Sequence, residues 1–225
     1  MDSEDQTARP DTPRRDFENS ELYKAVYAHV EQYMSKYDSS HDFNHILRVL
    51  ALAKHILNEE LKAYPWKKLH KQAVILAALL HDVGDKKYVQ AGEEQSIENL
   101  LQKSGCPPRF IAKVALIVEH VSYSSEMKRP QLVKAMLGAH PELAIVQDAD
   151  RLDAIGAIGI GRTFTYGAAK NPNGGMQSVI EHFTDKLENI EGMMKTDSGK
   201  RLARERTQRL KDFRQWWEEE NELIS

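Results

Sequence analysis

Leu69-His70-Lys71-Gln72-Ala73-Val74-Ile75-Leu76-Ala77-Ala78-Leu79-Leu80-His81-Asp82 is the stretch on which the fold turns. Leu69, Ala73, Leu76, Ala77 and Leu80 recur at helical spacing, which predicts a buried helix over residues 69–82. That helix ends on an imidazole and a carboxylate side by side. Polar groups on a buried segment are costly unless something compensates them, and a shared divalent cation would do so. A plainer reading lets Asp82 cap a turn and His81 sit on the helix dipole. It accounts for each residue singly, but not for a helix that ends on both.

Outward from this segment the pattern stays helical. Upstream, Leu22, Val26, Val30, Tyr33 and Met34 mark one helix. Ile46, Val49, Leu50, Ala53, Ile56 and Leu57 mark another, from about Asp42 to Asn58, before Tyr64-Pro65 breaks the pattern. Downstream, Ser96 opens a short helix to Lys103, Pro107-Pro108 opens one to about Val121, and residues 130–140 form another. Leu143 to about Ala169 is apolar and rich in small residues, and Asn171-Pro172-Asn173-Gly174-Gly175 is a loop. Ser178–Met194 and Lys200–Leu223 are amphipathic, the latter with Phe213, Trp216 and Trp217 expected inside; Trp66 is also expected to pack. No β alternation, repeat, heptad run, GxGxxG or Walker loop is found. The expectation is an all-α bundle of about eight to ten helices, with boundaries good to about 2–4 residues. Residues 1–15, rich in Asp, Pro, Thr and Arg, read as a disordered tail.

Composition narrows the function. With 225 residues and 41% hydrophobic content, the chain can build one sizeable core. A net charge of −3 provides no basic field for nucleic-acid backbone. A lone cysteine, Cys106, cannot form a disulfide framework, and it reads as a half-buried residue at a helix start. With no signal-like apolar segment and no membrane-length run, a cytoplasmic protein is expected, the nucleus not being separable by this reasoning.

Two further segments carry chemistry. In His41-Asp42-Phe43-Asn44-His45-Ile46-Leu47-Arg48-Val49, helical spacing puts His41, His45 and Arg48 on one face, unless His41 and Asp42 form the helix cap. In Asp148-Ala149-Asp150-Arg151-Leu152-Asp153, three carboxylates lie within six residues of apolar helix. They repel unless a cation neutralises them; Arg151 can serve one, and the rest point to a metal or to the groups that orient its ligands. Asp85, four residues after His81, could act on a water there, and Lys86 and Lys87 form a candidate phosphate clamp.

Together, His45…His81-Asp82…Asp150 resembles the H…HD…D pattern of the HD-domain superfamily of metal-dependent phosphohydrolases. The segments around these residues, with Gln147 to Phe164 and His182-Phe183-Thr184-Asp185-Lys186-Leu187, are similar to its small single-domain branch, whose characterised members hydrolyse nucleotides. The similarity spans roughly residues 20 to 222. It implies an HD-type domain over 16–225, with His45, His81, Asp82 and Asp150 as ligands of one divalent ion and Asp148 as the alternative distal ligand. Mixed imidazole and carboxylate ligation favours Mn²⁺, with Fe²⁺, Co²⁺, Ni²⁺ or Mg²⁺ as alternatives.

The implied reaction is metal-assisted phosphoester or phosphoanhydride hydrolysis. Asp85 or Glu119 would orient or deprotonate the water, and His41 would hold a phosphoryl oxygen or protonate the leaving group. Arg48, Lys86, Lys87, His120 and Arg162 would contact phosphate. The resemblance to this branch favours a (deoxy)nucleoside triphosphate cut to monophosphate and pyrophosphate, and the cations Arg48, Lys86, Lys87, Arg151 and Arg162 would suit a polyphosphate. The alternatives are a nucleoside 5′-monophosphatase and a non-catalytic nucleotide-binding module. No stable nucleic-acid or membrane partner is expected, and the last helix is a candidate homodimer surface.

Overall fold

The computed structural model describes residues 17–38, 40–83, 97–171 and 173–222. The acidic tail and the segment with Asp85, Lys86, Lys87 and Ser96 lie outside these residues. Among the described residues the chain is all helical, with eleven α-helices and two 3-10 turns. These are α1 (Glu21–Met34), α2 (Phe43–Ala63), α3 (Lys71–Leu80), α4 (Ile97–Lys103), α5 (Pro108–Glu119), α6 (Tyr123–Lys128), α7 (Pro130–Ala139), α8 (Glu142–Asp153), α9 (Gly156–Lys170), α10 (Gly175–Asp185) and α11 (Asp197–Glu222).

The centre is α3, whose residues Ala73 to Leu80 are all buried. A helix that is apolar on every side must be surrounded, and α1, α2, α5 and α8 pack around it. Helix α2 is amphipathic instead. Its Ile46, Val49, Leu50, Ala53, Ile56 and Leu57 face the core, and it continues to Ala63, beyond the expected end near Asn58. Its start is set by Asp42, whose carboxylate accepts from the His45 backbone N–H, so His41 lies before the helix rather than on it.

The apolar run from Leu143 divides into α8 and α9, because Gly156 takes φ +74°. A Cβ there would also lie 3.0 Å from Arg206 Cγ, and Arg206 itself donates to the Leu152 carbonyl. The stretch Ser178–Met194 likewise divides, into the end of α10 and a 3-10 turn at Leu187–Met193. Both breaks bear on the site: one ends α8 just after its acidic cluster, the other places Lys186 at a helix end.

Two tryptophans correct the sequence reading. Trp66 is 75% exposed and Trp216 is 59% exposed. On α11 the inward stripe runs through Ala203, Thr207 and Leu210 to Trp217, and Trp216 stands about 100° away from Trp217. Trp217 packs beside Phe164 and Phe213 and donates from its indole N–H to Gln177. No helix among the described residues is long and apolar enough to cross a membrane.

Buried carboxylates make stability depend on pH. Glu142, fully buried at the start of α8, accepts from the His70 N–H at 2.8 Å and from Lys113 Nζ at 2.6 Å. Burial alone would raise its pKa, but these donors hold it below the ordinary value. Glu126 behaves alike between Arg151 and Lys195. A carboxyl whose pKa is lowered by folding stabilises the protein above its unfolded pKa, and that contribution is lost as pH falls through the folded value. Asp148 runs oppositely, since burial raises it. Among the described residues Asp38, Glu59, Asp82, Asp150, Asp153 and Asp197 are lowered as well, and Asp148 is the one carboxyl raised. The urea midpoint of metal-free protein is therefore expected to fall steadily below about pH 4.5. A midpoint unchanged from pH 7 to pH 3 would contradict this linkage.

Candidate metal centre

Four side chains from three helices converge at one end of the bundle. His45 sits in the first turn of α2, His81 caps the C-terminus of α3, Asp82 follows it, and Asp150 projects from α8. His45 Nε2 lies 3.2 Å from His81 Nε2, 3.3 Å from Asp82 Oδ2 and 3.6 Å from Asp150 Oδ1. His81 Nε2 lies 3.5 Å from Asp82 Oδ2 and 3.6 Å from Asp150 Oδ1. His45 and His81 are almost fully buried, so these polar atoms face one another rather than water.

The tautomers sharpen the picture. His81 Nδ1–H donates to the Ala78 carbonyl at 2.9 Å, leaving its Nε2 to face the cluster. His45 uses Nδ1 for Asp153 at 2.8 Å, so its Nε2 also faces inward. Two nitrogen lone pairs and two carboxylates at this spacing need a shared cation. Without one, a proton fills the gap: burial depresses the His81 pKa, but Asp82 and Asp150 overcome it and push the imidazole up to about 9. Asp82 is held well below the carboxylate range, His81 and His45 outweighing its burial. Its Oδ2 is nonetheless a buried oxygen without a hydrogen-bond partner. An orphaned carboxylate oxygen beside two imidazoles fits a divalent ion held by His45, His81 and Asp82, with Asp150 completing the set.

The cluster forms the floor of a cleft of about 750 Å³ that includes its solvent-open mouth. His41, Arg151, Arg162, Tyr123, Lys186 and Ile190 are among the residues that line it. His41 meets Ser40 Oγ through Nδ1 at 2.9 Å, and burial and Arg162 lower its pKa to about 4. Arg162 donates to the Ser40 carbonyl and to Asp153, which fixes its guanidinium at the cleft wall.

Several expected site residues are placed elsewhere. Arg48, expected at phosphate, forks onto the Asp153 carboxylate at 2.7 and 3.0 Å and does not line the cleft. Glu119, expected to act on water, is on the exposed surface 3.4 Å from Arg129. His120 is buried behind the cleft wall, with Nδ1–H donated to the Leu116 carbonyl and Nε2 without a hydrogen-bond partner. The cleft is lined instead by the residues that follow it, Val121 to Tyr123. Asp148, the alternative distal ligand, is turned to the other side of α8, where it accepts from Lys195 N, Thr196 N and Thr196 Oγ1. Asp85, Lys86 and Lys87 lie outside the described residues.

Lys186 and Tyr123 were not singled out by sequence reasoning. Lys186 Nζ stands 4.8 Å over the Tyr123 ring at the cleft wall. Lys186 falls in the His182–Leu187 stretch that is similar to the family branch, but neither it nor Tyr123 carries a local pattern that marks it as cleft-lining.

Residues 42–155 match the HD domain, which brackets all four converging side chains. The chain belongs to the HD-domain family. The Bacillus subtilis protein YpgQ is 35% identical over 182 residues, spanning 79% of this chain and 82% of YpgQ. A crystal structure of YpgQ in complex with ADP superposes with a TM-score of 0.67 at 31% identity, covering 86% of this chain and 97% of that one. An HD-superfamily hydrolase from Bacillus thuringiensis superposes at 0.66 with 27% identity, covering 89% and 98%. The HD-domain match spans the starts and ends of the helices that hold the cluster, whereas Arg162 and Lys186 come from the chain beyond it.

Proposed function

We propose that this HD-domain protein is a metal-dependent phosphohydrolase that cuts (deoxy)nucleoside triphosphates to monophosphate and pyrophosphate. The observation that carries the reading is the convergence of His45 Nε2, His81 Nε2, Asp82 Oδ2 and Asp150 Oδ1 at the floor of a cleft with cationic walls. The ADP complex of YpgQ supports a ligand with more than one phosphate. Mn²⁺ is the favoured ion, since mixed nitrogen and carboxylate donors suit it better than Mg²⁺. Such an ion, when bound, polarises a phosphoryl oxygen and makes hydroxide available near neutral pH.

The chain's own groups do the rest. Arg162, with Nε and Nη1 already anchored, presents a pre-oriented guanidinium to charge growing on the phosphoryl oxygens. Lys186 faces the same cleft and adds a second cation. The Ser40 hydroxyl is donated to Asp38, so His41 donates Nδ1–H to Ser40 Oγ. In the neutral ring that a pKa of about 4 dictates, Nε2 is an acceptor. His41 holds a phosphoryl oxygen or protonates the leaving group only as the imidazolium, which the negative charge of a bound phosphate favours. Arg151 is neutralised by Glu126 at 2.5 Å, so it shapes the wall more than it adds charge. Asp85, Lys86 and Lys87 keep the roles expected of them from sequence: water activation and phosphate binding.

The test is product analysis with Mn²⁺ and a panel of nucleoside mono- and triphosphates. Pyrophosphate with the matching monophosphate is the expected result. Orthophosphate released from monophosphates would replace this reading with the nucleotidase one, and no turnover of any nucleotide would refute both.

A further inference from the structure

We propose that Asp153 is a positioning residue that fixes the tautomer and ring orientation of His45. Asp153 is 1% exposed and its carboxylate accepts from three side chains, Arg48, Arg162 and His45. Oδ1 accepts from Arg48 Nε at 2.7 Å. Oδ2 accepts from Arg48 Nη2 at 3.0 Å, Arg162 Nη1 at 2.9 Å and His45 Nδ1 at 2.8 Å. Two guanidinium groups on one carboxylate keep it ionised, and an ionised carboxylate can only accept. The hydrogen of the His45 contact therefore belongs to Nδ1, which leaves the Nε2 lone pair directed at His81, Asp82 and Asp150. Without this partner the imidazole could turn over about its outer torsion, or move its proton to Nε2, and either change removes the inward lone pair.

The arrangement follows from helical geometry. Asp150 and Asp153 are three residues apart on α8, about 60° around the axis, so one helix face delivers a candidate ligand and the group that orients another. His45 and Arg48 have the same spacing on α2 and reach the same carboxylate. The contact with Arg162 extends the network, since Arg162 Nε holds the Ser40 carbonyl beside His41. Asp153 thus couples the orientation of His45 to the placement of a cleft-wall cation.

Asp153 also neutralises Arg48 and Arg162, and that alone would make it necessary for stability. The two roles differ in one respect: charge neutralisation does not dictate where the His45 proton resides. His120 supplies an internal reference, because its Nδ1–H is held by the Leu116 carbonyl and not by Asp153, whereas His81 Nε2 lies 3.2 Å from His45 Nε2 and responds with it.

The inference rests on the proposed role of His45 as a metal ligand, but its main readout does not need a metal. Long-range ¹H–¹⁵N correlation spectra of metal-free, ¹⁵N-labelled protein at pH 8 would locate the imidazole protons. In the parent, His45 is expected to carry its proton on Nδ1; an unprotonated Nδ1 overturns the proposal without any variant having to fold. In Asp153→Asn, His45 is expected to shift toward the Nε2–H form while His120 is unchanged, and Mn²⁺ affinity by EPR titration to weaken about 10- to 100-fold. Asp153→Glu is expected to restore part of both. A folded Asp153→Asn protein with the parent's His45 proton and an Mn²⁺ Kd within about twofold would reduce Asp153 to a structural ion-pair residue. Parent protein that binds no Mn²⁺ would refute the metal reading, while the His45 spectrum would still decide the role of Asp153.

Discussion

Asp82→Ala is expected to lose divalent-metal binding and to lower nucleotide hydrolysis by at least about 10³-fold, the scale at which preorganised charge stabilisation at a phosphoryl centre is lost. Asp82 contributes an oxygen close to both imidazoles, at 3.3 Å from His45 Nε2 and 3.5 Å from His81 Nε2, and that oxygen has no hydrogen-bond partner of its own. Alanine leaves two buried imidazoles with only Asp150 to offset a cation. The loss has a reading that does not depend on substrate. A ligand that binds only the folded state stabilises it by RT ln(1 + [L]/Kd), about 2.7 kcal/mol at a hundredfold excess over Kd. For a domain of this size that corresponds to roughly 5–10 °C in Tm. Added Mn²⁺ should raise the melting temperature of the parent and leave that of Asp82→Ala where it was. A variant that still gains several degrees from Mn²⁺ would show that the ion binds elsewhere.

Asp148→Ala is expected to have the largest effect on stability, about 3 kcal/mol or more, with little change in the Mn²⁺ affinity of the folded protein. Asp148 is fully buried and satisfies the backbone N–H groups of Lys195 and Thr196 and the Thr196 hydroxyl, at 2.7–3.1 Å. These are the residues that lead into α11, so the carboxylate anchors the last helix to α8. Each buried donor left without a partner costs about 1–3 kcal/mol, and two backbone groups would be left. Burial of the carboxylate raises its pKa and offsets part of its own benefit, which keeps the figure near the lower end of the sum. Gly199 shows how tightly the anchor is built, since a Cβ there would lie 2.3 Å from Asp148 Oδ2. Urea denaturation alongside an Mn²⁺ titration separates the two roles: unchanged stability with lost metal binding would restore Asp148 as a ligand.

The contrast between Asp148 and Asp150 marks a limit of local sequence reading. Both lie in the same apolar run, and each offers a carboxylate to a buried surface. Residues two apart on a helix point about 200° away from each other, so at most one can face a given site. Sequence spacing thus establishes that the two must differ. Which one faces the cluster depends on how α8 is rotated against α2 and α3, and that is set by the packing of Leu143, Ile145, Val146, Ala149 and Leu152 in the core.

The sequence by itself determined the fold class, and its resemblance to the HD-domain pattern named the side chains that converge, with Asp148 left as the alternative to Asp150. Helical periodicity reports burial directly, and an imidazole–carboxylate pair at the end of an apolar helix is too costly to be incidental. Tertiary structure alone decided the partners of the cations. Arg48 is consumed by Asp153, Glu119 by the surface around Arg129, and Arg151 by Glu126, while Lys186 and Tyr123 arrive at the cleft from distant parts of the chain. An arginine's reach and its choice among nearby carboxylates depend on through-space distances that no local pattern encodes. The candidate metal ligands, and His41 and Arg162 on the cleft wall, were therefore legible along the chain, whereas the pairing of Arg48 and Arg151 and the arrival of Tyr123 and Lys186 became visible only once the helices were packed.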